Sequence, residues 1–226
     1  MSRPFAVQLE QSYERQVLFA VELLDAVTLT RVSEGVKVEA EGLQGQPIVN
    51  PSGVFVWLRE DLTSLRKISI DPKTLPYEPR ELDRGELQLP PNPHPLTTIE
   101  LQPRLNYEFA PGITGLRGTL IERRVTPPEP VANAEVKLRW LDDGGTWHDA
   151  PTASRTDAKS GDFVSILRLA PKEKPDLDPQ GAVTVRLQVR RDGATRSSND
   201  LKLLQGRITD PTTLNPLTFA WDELQP

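Results

Sequence analysis

Val183-Thr184-Val185-Arg186-Leu187-Gln188-Val189 alternates apolar and polar residues without a break. Side chains on a strand point to opposite faces at every step, so this run reads as a strand with one buried face and one open face. Val36-Lys37-Val38-Glu39-Ala40 and Val136-Lys137-Leu138-Arg139-Trp140 repeat the pattern, and Val54–Leu58, Ile68–Ile70, Phe163–Leu169 and Phe5–Leu9 add shorter candidates. Helical signals are sparse. Glu60–Lys67 has room for two turns, and Gln11–Leu24 has an ambiguous apolar pattern. Prolines recur through 72–95 and 171–179, where they would break any helix. The class that follows is all-β.

Turn chemistry agrees. Asp142-Asp143-Gly144-Gly145 lies between two Trp-bearing segments, and Arg191-Asp192-Gly193 follows the clean strand. Both read as hairpin turns, because glycine supplies the positive φ such turns require. Leu89-Pro90-Pro91-Asn92-Pro93-His94-Pro95 is different: four prolines in seven residues favour an extended, semi-rigid spacer. It divides the chain into residues 1–90, a linker at 91–98 and residues 99–226, each flanking piece large enough for a sandwich of about 100 residues. A weak internal repeat fits this division. Gly35–Ala40 precedes Asn50-Pro51-Ser52-Gly53-Val54-Phe55-Val56 as Ala134–Arg139 precedes Thr156–Val164. The expected architecture is two tandem antiparallel β-sandwiches with a proline-rich connection.

In the second half, Gly118-Thr119-Leu120-Ile121 is followed by Pro130-Val131-Ala132-Asn133-Ala134-Glu135-Val136-Lys137-Leu138 and then Thr156-Asp157-Ala158-Lys159-Ser160-Gly161-Asp162-Phe163. This order resembles the carboxypeptidase regulatory-like, or transthyretin-like, β-sandwich family. The first half departs from the pattern, with Ser33-Glu34-Gly35 and Asn50-Pro51-Ser52-Gly53 at the corresponding places. The resemblance implies a fold rather than an activity, since sandwiches host many roles.

Composition narrows the chemistry. The 226 residues carry 27 Lys and Arg against 32 Asp and Glu, a net charge of −5, which lacks the basic footprint of a nucleic-acid binder. With no Cys there is no thiolate nucleophile or zinc-thiolate site, and the two histidines, His94 and His148, lie far apart. His148, Asp149 and Ser154 are too close along one turn region to hold triad geometry. Asp142, Asp143, Asp149, Asp157 and Asp162 offer calcium-type oxygens, but turn formation accounts for each, so no metal or other cofactor is expected. Arg123-Arg124 and Arg190-Arg191 read as solvated charges on strand edges. The longest apolar run, Val17–Val21, cannot cross a bilayer, so membrane insertion is not expected. The N-terminal residues have no signal-peptide pattern, which predicts synthesis in the cytoplasm.

The aromatics point to binding. Trp57 and Trp140 sit in strand runs and read as core, whereas Trp147 at a hairpin end and Phe219 with Trp221 near the C-terminus are candidates for partner contact. The expected role is non-catalytic: a structural or protein-interaction module of a larger assembly. Tandem sandwiches of this kind resemble accessory parts of phage tail-like contractile injection particles. The alternative is a carbohydrate- or surface-binding module that uses Trp57, Trp140, Trp147, Trp221, Tyr77 and Tyr107 as a stacking platform.

Overall fold

The computed structural model describes residues 17–58, 62–209 and 217–226, and the chain is all-β. Two units are distinguished. Unit 1 comprises residues up to Leu23, Arg31–Asp71 and Arg80–Ile99; unit 2 comprises Leu24–Thr30, Pro72–Pro79 and Glu100–Pro226. The expected strand at Phe5–Leu9 lies outside the described residues.

Unit 1 draws on seven strands: β1 (Val17–Asp25), β2 (Lys37–Glu41), β3 (Ile48–Val49), β4 (Phe55–Leu58), β5 (Lys67–Asp71), β6 (Arg80–Asp83) and β7 (Leu96–Leu101). The unit boundaries fall inside β1 and β7, whose last two residues belong to unit 2. One sheet has the order β3-β4-β1-β7 and the other β2-β5-β6. Gln11–Leu24, ambiguous as sequence, is strand from Val17 onward because its apolar residues pair with β4: Phe19 lies opposite Trp57 and Val21 opposite Phe55. The Phe19 and Trp57 rings stack at 4.5 Å, with Trp57 Nε1 buried and unpartnered. Where Glu60–Lys67 offered two helical turns, the described residues form a 3-10 turn over Leu62–Ser64, and Lys67 already begins β5. The proline-rich stretch 89–95 belongs to unit 1 and folds back on itself. Asn92 N donates to Leu89 O, its side-chain amide donates to Gln88, and Ala20 N donates to Pro95 O.

Unit 2 adds β8 (Thr114–Ile121), β9 (Glu135–Leu141), β10 (Trp147–Arg155), β11 (Asp162–Leu167), β12 (Ala182–Arg191), β13 (Ala194–Ser197), β14 (Leu201–Leu204), β15 (Ile208–Thr209) and β16 (Leu217–Ala220). A five-stranded sheet runs β10-β9-β12, with β13 and β14 both paired to β12. A second sheet is centred on β8, antiparallel to β11 and parallel to β15 and β16. Val136, Leu138, Trp140, Val183, Val185, Leu187 and Val189 from the first sheet share one buried cluster with Leu116, Leu120, Phe163, Leu167 and Phe219 from the second. This cluster is the sandwich core of unit 2.

Two glycines explain the family-like motif. Gly118 lies opposite Phe163, and a Cβ there would come within 2.5 Å of Phe163 Cζ, so the missing side chain makes room for the ring. Gly161 has φ of 72°, and a Cβ would meet Leu120 O at 2.3 Å. The turn before it is tied by Asp157, whose Oδ1 accepts from Lys159 N, Ser160 N and Ser160 Oγ. Burial works against ionisation of Asp157, but these donors outweigh it and lower its pKa.

Candidate functional site

The sequence candidates separate into buried and open groups. Trp57, Trp140, Tyr77 and Tyr107 are all buried, which removes four of the six aromatics from any carbohydrate platform. Phe219 is also core, with its ring centroid 6.0 Å from that of Phe163, so it presents no partner-facing surface. Trp221 packs against the same core; Arg196 covers its ring at 4.7 Å and donates to its carbonyl at 2.8 Å. Trp147 alone among the three partner candidates stands on an outward sheet face, half-buried, with the Arg186 guanidinium 4.3 Å from its ring centroid.

That face follows from alternation. In β9, Val136, Leu138 and Trp140 point inward, while Glu135, Lys137 and Arg139 point outward. Register then places Arg190, Gln188 and Arg186 of β12 beside them, and Arg155, Ala153 and Asp149 of β10 on the other side. A bulge between Asp149 and Ala153 bends β10. The cations Lys137, Arg139, Arg155, Arg186, Arg190 and Lys202 stand among the carboxylates Glu135, Asp149, Asp176 and Asp200, and Glu122, Glu129 and Asp192 line one cavity with Arg155 and Arg190. Asp149 receives Lys137 Nζ and Arg139 Nε at 3.0 Å each, and the Lys137 hydrogen bond is the main cause of its lowered pKa. Arg186 donates to Asp200 Oδ1 at 2.6 Å. The result is a highly charged sheet face of mixed sign with an aromatic at one end.

No triad forms from His148, Asp149 and Ser154. His148 and Asp149 are adjacent on a strand and face opposite ways; Asp149 joins Lys137 and Arg139, while His148 stacks 4.7 Å from Trp140 and sits 2.7 Å from Asp142 Oδ2. Ser154 is buried and donates to Val136 O. The hydrogen bond from His148 leads the causes that lower the pKa of Asp142, which also accepts from Thr146 N across the hairpin turn. Asp162 accepts from Thr119 Oγ1 at 2.6 Å. Among the described residues no group of three or more His, Cys, Asp or Glu is placed to hold a metal ion. One arginine of each basic pair is held by acids: Arg124 by Glu223, and Arg191 by Glu122 and Asp192. His94 is exposed. No helix is long and apolar enough to cross a membrane among the described residues.

Two features of unit 2 carry no local sequence signal. Asp25, 4% exposed, accepts from Tyr107 OH at 2.5 Å, Tyr77 OH at 3.1 Å and Val27 N at 2.7 Å. Burial first, then the Asp25 carboxylate, pushes Tyr77 up to about 12. The same causes raise Tyr107. The second feature is Arg117 on β8, 7% exposed, whose Nη2 donates to Tyr107 O at 2.7 Å and whose Cζ lies 5.2 Å from the Phe109 ring centroid. Only proximity in space marks these groups, because their partners stand far along the chain or are backbone atoms. Compared with family models, curated proteins and solved structures, the chain matches none, so its resemblance to the carboxypeptidase regulatory-like family rests on the quoted motifs.

Proposed function

We propose that the chain is a non-catalytic protein-interaction module of a larger assembly, built as tandem β-sandwiches, and that it docks an acidic protein surface through the outward face of β10, β9 and β12. The observation that carries this reading is Trp147 on an outward sheet face, with the Arg186 guanidinium over its ring and Arg139 donating to its carbonyl. Complementary charge steers such docking and fixes its register, and a half-buried aromatic flanked by arginine is the residue pair most enriched at interaction hot spots. The side chains that offered catalytic alternatives are taken up in turns, ion pairs and core contacts. A phage tail-like contractile injection particle is the specific assembly we propose, on the sequence resemblance.

Lysine cross-linking with mass spectrometry on natively purified material, imaged by negative stain, tests the reading. Cross-links from Lys137 or Lys202 to acidic segments of one partner within a regular particle are expected, with Trp147→Ala and Arg139→Glu together releasing the chain. Purification as a lone 25.2 kDa chain, or an undiminished particle with the double variant, overturns it.

A further inference from the structure

A cavity of about 800 Å³ opens in unit 2, between the segment 106–113, β8 and residues 206–208. Its apolar lining comes from Phe109, Pro111, Ile113 and Ile208, and its buried charge from Arg117. Among the described residues, Tyr107 O meets one of the five guanidinium N–H donors, and the buried Nε has no acceptor. No carboxylate pairs with Arg117 among the described residues, although Arg139 and Arg186 of the β9–β12 face have theirs. Burial lowers the pKa of the guanidinium, as expected of a cation lacking a counter-charge.

A charge so placed is unfavourable unless an anion completes it, and the planar fork of a guanidinium matches a carboxylate with two parallel hydrogen bonds. Glu108 and Arg207 line the same cavity, one charge of each sign, and Arg117 is its only buried charge. We propose that the cavity binds a small monocarboxylate with an apolar body, its carboxylate on Arg117 and its hydrocarbon part against Phe109, Ile113 and Ile208. This site is independent of the docking face.

Ligand-observed NMR and calorimetry on the full chain, with 3-phenylpropionate and its uncharged amide as probes, decide the matter. The acid is expected to bind at least about tenfold more tightly than the amide, a difference of about 1.4 kcal/mol. Arg117→Gln should abolish the difference, and Arg66→Gln, on an exposed side chain in unit 1, should leave it intact. Equal binding of acid and amide, absence of binding by the acid, or unaltered preference in Arg117→Gln overturns the proposal. Should Arg117→Gln fail to fold, the acid-against-amide comparison on the wild-type chain decides alone.

Discussion

The two sheets of unit 2 share one core yet treat their second faces in opposite ways. In the five-stranded sheet, β9 reads buried and part-exposed in strict turn, and the outward Arg139 and Arg186 find carboxylates in the open. In the sheet around β8, much of the second face is closed as well: Arg117 and Val164, opposite each other, and Gly115 and Ile166, likewise paired, are all buried. An arginine therefore means different things in the two sheets. On the open face it is screened, paired and replaceable; on the closed face its surroundings must be supplied by the fold. Polar groups behind the closed face, Asp25 with its two tyrosines foremost, should thus carry far more energy than the more numerous charges of the open face.

The largest expected effect is at Asp25. Replacing it by Ala strands two tyrosine hydroxyls and the Val27 N–H, at about 1–3 kcal/mol for each buried group left unmet, so a loss of at least about 3 kcal/mol in total is expected. Urea denaturation measures it, and a loss under about 1 kcal/mol would erase the contrast between the faces.

An intermediate effect is expected at alkaline pH. Tyr77 is raised to about 12 and Tyr107 is raised also, so each folded-state pKa lies above the ordinary tyrosine value of about 10. In the window between these values the unfolded chain releases protons that the folded chain keeps. Stability should be level below pH about 10 and fall as pH rises toward about 12. Phenolate absorbance should show two of the three tyrosines titrating late. Denaturation midpoints across the same range should decline together with that signal; a full ordinary titration near pH 10 would place both hydroxyls in water.

The smallest effect is expected on the open face. Arg186→Gln removes the Asp200 pair and the cover over Trp147, both part-exposed, and should cost below about 1 kcal/mol. Thermal unfolding in low and high salt checks it, with the gap between wild type and variant narrowing as salt screens the pair.

The same contrast explains what could be read from the sequence. Val136–Trp140 and Val183–Val189 were legible as strands because one face meets water and stamps an alternation on the residues. β8 gives no such alternation, since Gly115-Leu116-Arg117-Gly118 is buried throughout; its strand over 116–121 was legible from the Gly118-Thr119-Leu120-Ile121 motif instead, and it pairs with β11 and the late strands. The Trp147 position was legible from its place beside a Gly-Gly turn. Phe219 was misplaced because an aromatic close to a chain end looks exposed, whereas parallel pairing of β16 with β8 carries it into the core. Tyr77 and Tyr107 resembled members of a stacking surface; their hydroxyls instead converge on a carboxylate 52 and 82 positions away, a separation that no local window contains.

That separation has a consequence on the ribosome. At about 5–20 residues per second, Asp25 leaves the synthesis site roughly 4–16 seconds before Tyr107 is added. Its neighbour Ala26, whose carbonyl accepts from Arg168, waits 142 residues, or about 7–28 seconds. Residues 24–30 thus emerge early and are completed late, so unit 2 cannot close in the order in which it is made.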